Sequence, residues 1–277
     1  MKCAFVYFSS TGITPKFASV IAKGINDSEK STFDYIRLKK GEKVTLENND
    51  LIGVGAPSYS LRAPRLATRL LRKIDFQKKA FFVFATYNTM VGNTLWNVYR
   101  AVQQSAGHCL GYIKGSVTVN IRAWKAKKNS GKKMKEMTEE VKKQAKEFGK
   151  KIVERFNMIK KNPLQKQNRK WIPPVNILLI FWAAIFTWSW EMLLTVGFKR
   201  IDKKKCTKCG LCATQICPSK AIKLSENNTP KFIEINCSGC NECVNLCPAD
   251  AIWTYQTRNR QPYDIYKNYI LENKNNI

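Results

Sequence analysis

The chain has 277 residues, enough for one large domain or two modest ones, and its 44% of hydrophobic residues is ordinary for a globular protein. This composition argues against wholesale disorder. Lysine and arginine number 48 against 20 aspartate and glutamate residues, which gives a net charge of +28. Such an excess favours anionic partners, whether acidic proteins, anionic lipid or nucleic acid. The charge by itself does not choose among them.

Short apolar runs alternate with helical patterns through the first half of the chain. Strands are predicted at positions 3–8, 33–38, 51–54, 80–86 and 112–119. Helices are predicted at positions 14–25, 64–73, 94–104 and 132–158. Because strands that alternate with helices form parallel βαβ units, the sequence predicts an α/β fold with a doubly wound parallel sheet.

A turn rich in hydroxyl groups follows the first predicted strand and precedes the first predicted helix. Its residues are Ser9, Ser10, Thr11, Gly12, Ile13 and Thr14. Hydroxyls and the N–H groups at the start of a helix can bind a phosphate group, and glycine allows the backbone to approach it closely. The alternative is an ordinary helix cap. The position directly after a buried strand favours the phosphate site.

Two further loops follow the third and fourth predicted strands. Open α/β sheets bind their ligands at the carboxyl ends of the strands, where these loops lie. The candidate binding residues there are Pro57, Ser58, Tyr59, Thr86, Tyr87 and Asn88.

The middle of the chain is first unusually basic and then unusually apolar. Positions 122–170 carry 18 basic and 5 acidic residues. Most of this pattern is typical of a solvated helix face. The excess of positive charge still requires an anionic partner or surface. Positions 175–198 are mostly apolar, and roughly 20 such residues can span a bilayer. Glu191 and the basic residues on both flanks argue against a crossing. Contact with a membrane surface and packing against a domain both stay open.

Ten cysteines are present, and eight of them fall into two groups, each with a trailing Cys-Pro pair. The chain opens on a strand pattern rather than a signal peptide, so free thiols in a reducing compartment are favoured over a disulfide framework. Zinc is an alternative for CxxC pairs, but a tetrahedral site explains neither the third cysteine of each group nor the prolines. Cys3 and Cys109 stand apart in apolar surroundings and are predicted to be buried structural residues.

The spacing of the eight cysteines resembles that of two-cluster bacterial ferredoxins, in which each trailing cysteine ligates the cluster of the opposite group. The resemblance implies two [4Fe–4S] clusters. The first would be held by Cys206, Cys209, Cys212 and Cys247, and the second by Cys237, Cys240, Cys243 and Cys217. Four residues separate Cys212 from Cys217 where the usual run has three. We expect the extra residue to form a bulge.

The turn at positions 9–14 resembles the phosphate loop of flavodoxins, which bind FMN. This resemblance implies that hydroxyls of the turn surround the FMN phosphate and that Tyr59 and Tyr87 flank the isoalloxazine ring. The alternative is that each tyrosine only covers its loop. Taken together, the motifs resemble the flavodoxin/ferredoxin fusion proteins of anaerobes. They imply a flavodoxin-like FMN domain at 1–157, a basic linker and apolar helix at 158–199, a small α+β two-cluster ferredoxin domain at 200–255 and a tail at 256–277.

The resemblance implies an electron-transfer protein that relays electrons between FMN and two clusters. Acidic redox proteins are the expected partners, and the expected location is cytoplasmic, with an anionic membrane surface as a further contact. One alternative is a flavin-dependent reductase of a small molecule, fed by the clusters. Another is a docking module with an empty flavodoxin domain. No catalytic residue is assigned, His108 is predicted to be structural, and the basic stretch resembles no nucleic-acid-binding module.

Overall fold

The computed structural model describes residues 1–117, 137–164, 166–185 and 197–258. Five parallel strands form one sheet in the first part of the chain. They are β1 (Lys2–Tyr7), β2 (Thr32–Arg37), β3 (Leu51–Pro57), β4 (Ala80–Tyr87) and β5 (Cys109–Ser116). Their spatial order is β2-β1-β3-β4-β5. This is the flavodoxin-like order of a doubly wound sheet, so the predicted fold class is confirmed.

Four helices cover the sheet among the described residues of this part. They are α1 (Ile13–Ser28), α2 (Arg65–Leu71), α3 (Thr94–Val102) and α4 (Glu139–Lys161). One hydrophobic core lies between the sheet and α1 with α4, and a second lies between the sheet and α2 with α3. Both faces of the sheet are therefore buried, which explains why its central strands are continuous apolar runs.

The predicted helix at 132–158 needs a correction at both ends. The structure begins α4 at Glu139, because the Thr138 hydroxyl accepts a hydrogen bond from the backbone N–H of Val141 and caps the helix. Positions 118–136 lie outside the described residues. The helix continues to Lys161, three residues beyond its predicted end at position 158.

The segment after α4 returns along the edge of the sheet. The Gln167 side chain accepts a hydrogen bond from the backbone N–H of Cys109 and donates one to the backbone carbonyl of Cys109, each at 2.8 Å. It therefore covers the edge strand β5.

The next helix, α5 (Ile177–Ile185), starts after Asn176, whose backbone N–H and carbonyl both bond the Asn93 side chain at 2.8 Å. In the described ranges, no helix is long and apolar enough to cross a membrane. Positions 186–196 lie outside them.

The last part of the chain is built from two similar halves. Strand β6 (Arg200–Ile201) pairs antiparallel with β9 (Ile252–Trp253), and β7 (Ile222–Leu224) pairs antiparallel with β8 (Pro230–Phe232). A π-helical turn, Cys212–Ile216, lies in the first half, and helix α6 (Glu242–Leu246) lies at the equivalent position of the second. Each half therefore has the order strand, cysteine loop, helical turn, strand, which is an α+β arrangement.

Candidate functional site

The second predicted set of cluster ligands surrounds one cavity. Its wall contains the four thiols of that set, Cys217, Cys237, Cys240 and Cys243. Burial raises the pKa of the Cys243 thiol well above its ordinary value, and the neighbouring thiols of the set raise it further. The structure therefore brings together four cysteines that are separated by up to 26 positions in the chain.

The first predicted set also lies together. Burial raises the pKa of the Cys212 thiol to about 11, and the nearby thiols of Cys247, Cys209 and Cys206 add to this rise. Cys209 is exposed, whereas Cys240 of the second set packs into the core between the sheet and α2 with α3. We therefore call the first set the outer set and the second set the inner set.

Backbone N–H groups donate hydrogen bonds to the thiols in the same pattern in both halves. The pairs are Lys208 to Cys206 and Gly239 to Cys237, both at 3.4 Å, and Ala221 to Cys217 at 3.3 Å and Ala251 to Cys247 at 3.4 Å. Hydrogen bonds to ligand sulfurs stabilise the thiolate and adjust the potential of an iron–sulfur cluster.

The extra residue between Cys212 and Cys217 is accommodated by the π-helical turn. The backbone N–H of Cys217 donates to the carbonyl of Cys212 at 3.1 Å, five positions earlier, whereas Asn245 in the second half donates to Asn241, four positions earlier. An inserted residue commonly takes this form. The predicted bulge is thereby confirmed, and Cys217 still faces the inner cavity.

The donor sets suit iron–sulfur clusters. All eight cysteines have free thiols, and buried thiols with a raised pKa release their protons when a metal binds. No three Cys, His, Asp or Glu side chains within the described residues converge on a single-ion site. A [4Fe–4S] cluster requires no such convergence, since each cysteine ligates a different iron.

A second candidate site lies at the carboxyl edge of the sheet. The hydroxyl side chains of Ser9, Ser10 and Thr11, in the turn between β1 and α1, and of Thr14, in the first turn of α1, are all buried. Gly12 has a φ of 77°, which glycine adopts without strain, and its N–H donates to the Ser9 hydroxyl at 3.1 Å. The N-cap residue of α1 is Gly12, which has no side chain to bond the first N–H groups of the helix. These N–H groups point toward the turn, as an anion site requires. Ile13 packs into the core and would contribute only its backbone.

The three predicted loops meet at this edge. The Ser10 and Tyr59 hydroxyls are hydrogen-bonded at 2.6 Å, and the Thr14 and Thr86 hydroxyls at 3.1 Å. The first bond joins the turn after β1 to the loop after β3, and the second joins the start of α1 to the end of β4.

The remaining candidates, at the ends of β3 and β4 and just after them, differ in exposure. Pro57, Ser58 and Tyr87 are half-buried, and Asn88 is exposed. Tyr59 is buried, and its hydroxyl bonds Ser10 in the turn at positions 9–14, which we call the phosphate-type turn. The groups present suit a phosphorylated flavin: buried hydroxyls, an uncapped helix start and a half-buried aromatic ring at Tyr87.

The junction between the two domains contains an ion pair that sequence reasoning missed. Arg37, at the end of β2, pairs with Glu242, which lies between Cys240 and Cys243. Both side chains are buried. Burial raises the pKa of the Glu242 carboxyl, and the Arg37 guanidinium opposes that rise. A further contact is the hydrogen bond from the Lys40 N–H to the Pro218 carbonyl at 2.8 Å.

Comparison with known proteins identifies the C-terminal part. Residues 199–254 match the family model of the 4Fe-4S dicluster domain. Over 52 residues the chain is 42% identical to pyruvate synthase subunit PorD of Methanocaldococcus jannaschii, which covers 19% of this chain and 59% of that protein. The chain therefore spans less than two thirds of the length of this relative.

Solved structures resemble the N-terminal part at low identity. A flavodoxin from the domain Archaea is 17% identical with a TM-score of 0.42, covering 57% of this chain and 99% of its own. Flavodoxin 1 from Bacillus cereus is 17% identical with a TM-score of 0.42, covering 56% of this chain and 98% of its own. The strand order, rather than these likenesses, identifies the fold. The chain thus joins a flavodoxin-like domain to a 4Fe-4S dicluster domain.

Proposed function

We propose that this protein relays electrons between FMN, bound at the carboxyl edge of the sheet, and two [4Fe–4S] clusters, bound by the outer and inner sets. The observation that carries the proposal is the position of the inner set. Its Cys240 packs into the core of the flavodoxin-like domain, whereas Cys209 of the outer set is exposed. When bound, FMN would exchange electrons reversibly in pairs or one at a time, and each cluster would exchange them one at a time.

The arrangement of the ligand sets supports an order from the surface to the sheet. The outer set meets solvent at Cys209. The inner set lies at the junction, since Glu242 beside its cysteines is paired with Arg37 at the end of β2. The neighbouring strand β1 leads directly into the turn that would bind the FMN phosphate. An electron that enters at the outer set would therefore pass the inner set before the flavin.

Lys199 would adjust the reduction potential of the cluster bound by the inner set. Its side chain is only 1% exposed and lies 3.4 Å from the Glu234 carboxylate. Burial lowers the pKa of Lys199, but the nearby Cys237, Cys243 and Glu234 outweigh that effect and raise it. A fixed positive charge beside a cluster stabilises the reduced form, because reduction adds negative charge.

Acidic redox proteins are the proposed partners. Four exposed lysines lie next to Cys206 and Cys209 in the chain: Lys203, Lys204, Lys205 and Lys208. Positive charge beside the solvent-facing set would attract an acidic partner and orient it toward Cys209. The net charge of +28 acts in the same direction.

One observation favours the reductase as a second candidate. Tyr59, in a loop of the proposed flavin site, lines a cleft of about 350 Å3 at the junction. A cleft of this size could admit a small substrate.

Anaerobic reconstitution with iron, sulfide and FMN tests the proposal. The expected product holds about eight irons, as two [4Fe–4S] clusters require, with one FMN per chain. Iron and flavin analysis with visible spectra measures both. A preparation that binds zinc without charge-transfer absorbance, or that holds no FMN after reconstitution, would contradict the proposal.

A further inference from the structure

A concave, basic cleft lies where the two domains meet, and we propose that it binds a small polyanion with phosphate or carboxylate groups. The cleft holds about 350 Å3. Among the described residues, five basic side chains and no acidic one line it: Lys40, Arg62, Arg65, Arg69 and Lys73. We call it the junction cleft. Neither the cluster ligands nor the phosphate-type turn accounts for this concentration of charge.

The basic side chains reach the junction cleft from the flavodoxin-like domain. Arg65 and Arg69 are four positions apart on α2, and residues at this spacing lie on the same side of a helix. Lys73 lies four positions after Arg69, just beyond the end of α2. Lys40 comes from the loop after β2. None of the ion pairs between described residues involves Lys40, Arg69 or Lys73. Their mutual repulsion therefore favours an anion between them.

The opposite wall comes from the cluster domain and, among the described residues, contains no Lys, Arg, Asp or Glu side chain. It contributes Asn236 and Ser238, whose side chains can donate hydrogen bonds to anionic oxygens, together with Ser219 and the cluster ligand Cys237. The Ser219 hydroxyl donates its hydrogen bond to the Ser238 hydroxyl at 3.3 Å. A ligand that contacts both walls would bind the two domains to each other.

The shape and the lining indicate the size and chemistry of the ligand. A volume of about 350 Å3 falls within the range of small-molecule sites, which often lie at domain interfaces. Arginine binds phosphate and carboxylate groups through two parallel N–H bonds. Leu66, Leu70 and Ile235 supply apolar surface for an organic body. The concave form distinguishes the cleft from the exposed lysines around the outer set, which suit an acidic protein.

Titration calorimetry with inorganic pyrophosphate tests the proposal. The protein is loaded with iron–sulfur clusters and FMN, so that the phosphate-type turn is filled, and ionic strength is kept constant with chloride. The expected result is saturable binding at one site per chain. The double variant Arg69→Gln, Lys73→Gln should bind at least tenfold more weakly, and Lys40→Gln on the loop after β2 should also weaken binding.

Two exposed lysines of α4, on the other face of the sheet, supply the matched control. The double variant Lys143→Gln, Lys150→Gln removes the same charge and should keep the affinity within twofold. Absence of saturable binding, or an equal loss of affinity in both double variants, would overturn the proposal. Binding of polyglutamate without binding of pyrophosphate would also overturn it and would assign the cleft to an acidic protein. Cluster and flavin spectra verify that each variant is folded.

Discussion

Thr11 is a buried hydroxyl at the centre of the proposed phosphate site, only 4% exposed. It makes no hydrogen bond with any other residue that the structure describes, so its hydroxyl can donate to a phosphate oxygen. Thr11→Ala should weaken FMN binding by about 1–3 kcal/mol, the usual loss for a hydrogen bond to a charged group. Quenching of flavin fluorescence measures the affinity. Thr32→Ala, exposed at the opposite end of the sheet, is the control. Equal affinities of Thr11→Ala and the wild type would count against this turn.

Arg37 and Glu242 form the buried ion pair of the junction. Removing one partner leaves an uncompensated buried charge, so Arg37→Met should lower the free energy of unfolding by about 3–5 kcal/mol. The double variant Arg37→Met, Glu242→Met should recover part of this loss, since no charge then stays buried alone. Urea unfolding followed by tryptophan fluorescence measures both. A double variant no more stable than Arg37→Met alone would show that the pair does not act this way.

Among individual residues, the sequence predicted those whose chemistry appears in a local motif. The eight cysteines and the hydroxyls of positions 9–14 are recognisable by their spacing alone. Arg37 and Glu242 are 205 positions apart, and Lys199 has no motif of its own. Their roles depend on how two domains pack, which no local pattern encodes.

We predict that the two halves of the cluster domain exchange their trailing cysteines. Cys217 follows the first CxxCxxC group but lines the inner cavity with the second. Cys217→Ala should therefore lose the same cluster as Cys240→Ala, with iron falling from about eight to about four per chain. Iron analysis and paramagnetic resonance of the reduced protein measure this. The comparison variant is Cys209→Ala, which should lose the other cluster. A Cys217→Ala spectrum that matches Cys209→Ala would refute the exchange.

Helix α5 exposes large apolar side chains close to the loop after β4. Leu178 is 73% exposed and Phe181 65%, and Arg169 and Lys170 precede the helix. We predict that the full chain binds vesicles containing phosphatidylserine and that salt weakens this binding. Leu178→Ser with Phe181→Ser should reduce it in a flotation assay. Leu164→Ser, at a site that is 94% exposed outside any helix, should not. Equal binding of all three proteins would contradict the prediction.

The elements of the sheet were largely predictable, because buried parallel strands are short apolar runs between helical patterns. The predicted strand at 112–119 was displaced: β5 begins at Cys109. Its glycines, Gly111 and Gly115, weaken the apolar pattern on which the prediction depended. The start of α4 was also displaced, because basic residues before Thr138 continue the helical pattern past the cap.

For the whole molecule, the pairing of a flavodoxin-like domain with a cluster domain followed from two separate motifs. The arrangement of the two domains relative to each other could not be predicted from these motifs. The junction requires Cys240 to enter one core, Arg37 to reach Glu242, and basic residues of α2 to face the cluster domain across the junction cleft. Each of these contacts joins segments that are distant in the chain, so only the folded structure reveals them.

The rate of flavin reduction within one molecule tests the relay most directly. Protein loaded with FMN and both clusters is mixed with a reduced acidic ferredoxin, and flavin absorbance is followed by stopped flow. Once the clusters are reduced, the flavin rate should be independent of protein concentration. Cys240→Ala, which should keep FMN and the outer cluster, should lose this phase. A flavin rate proportional to protein concentration, or an unchanged rate in Cys240→Ala, would contradict a relay through the inner set.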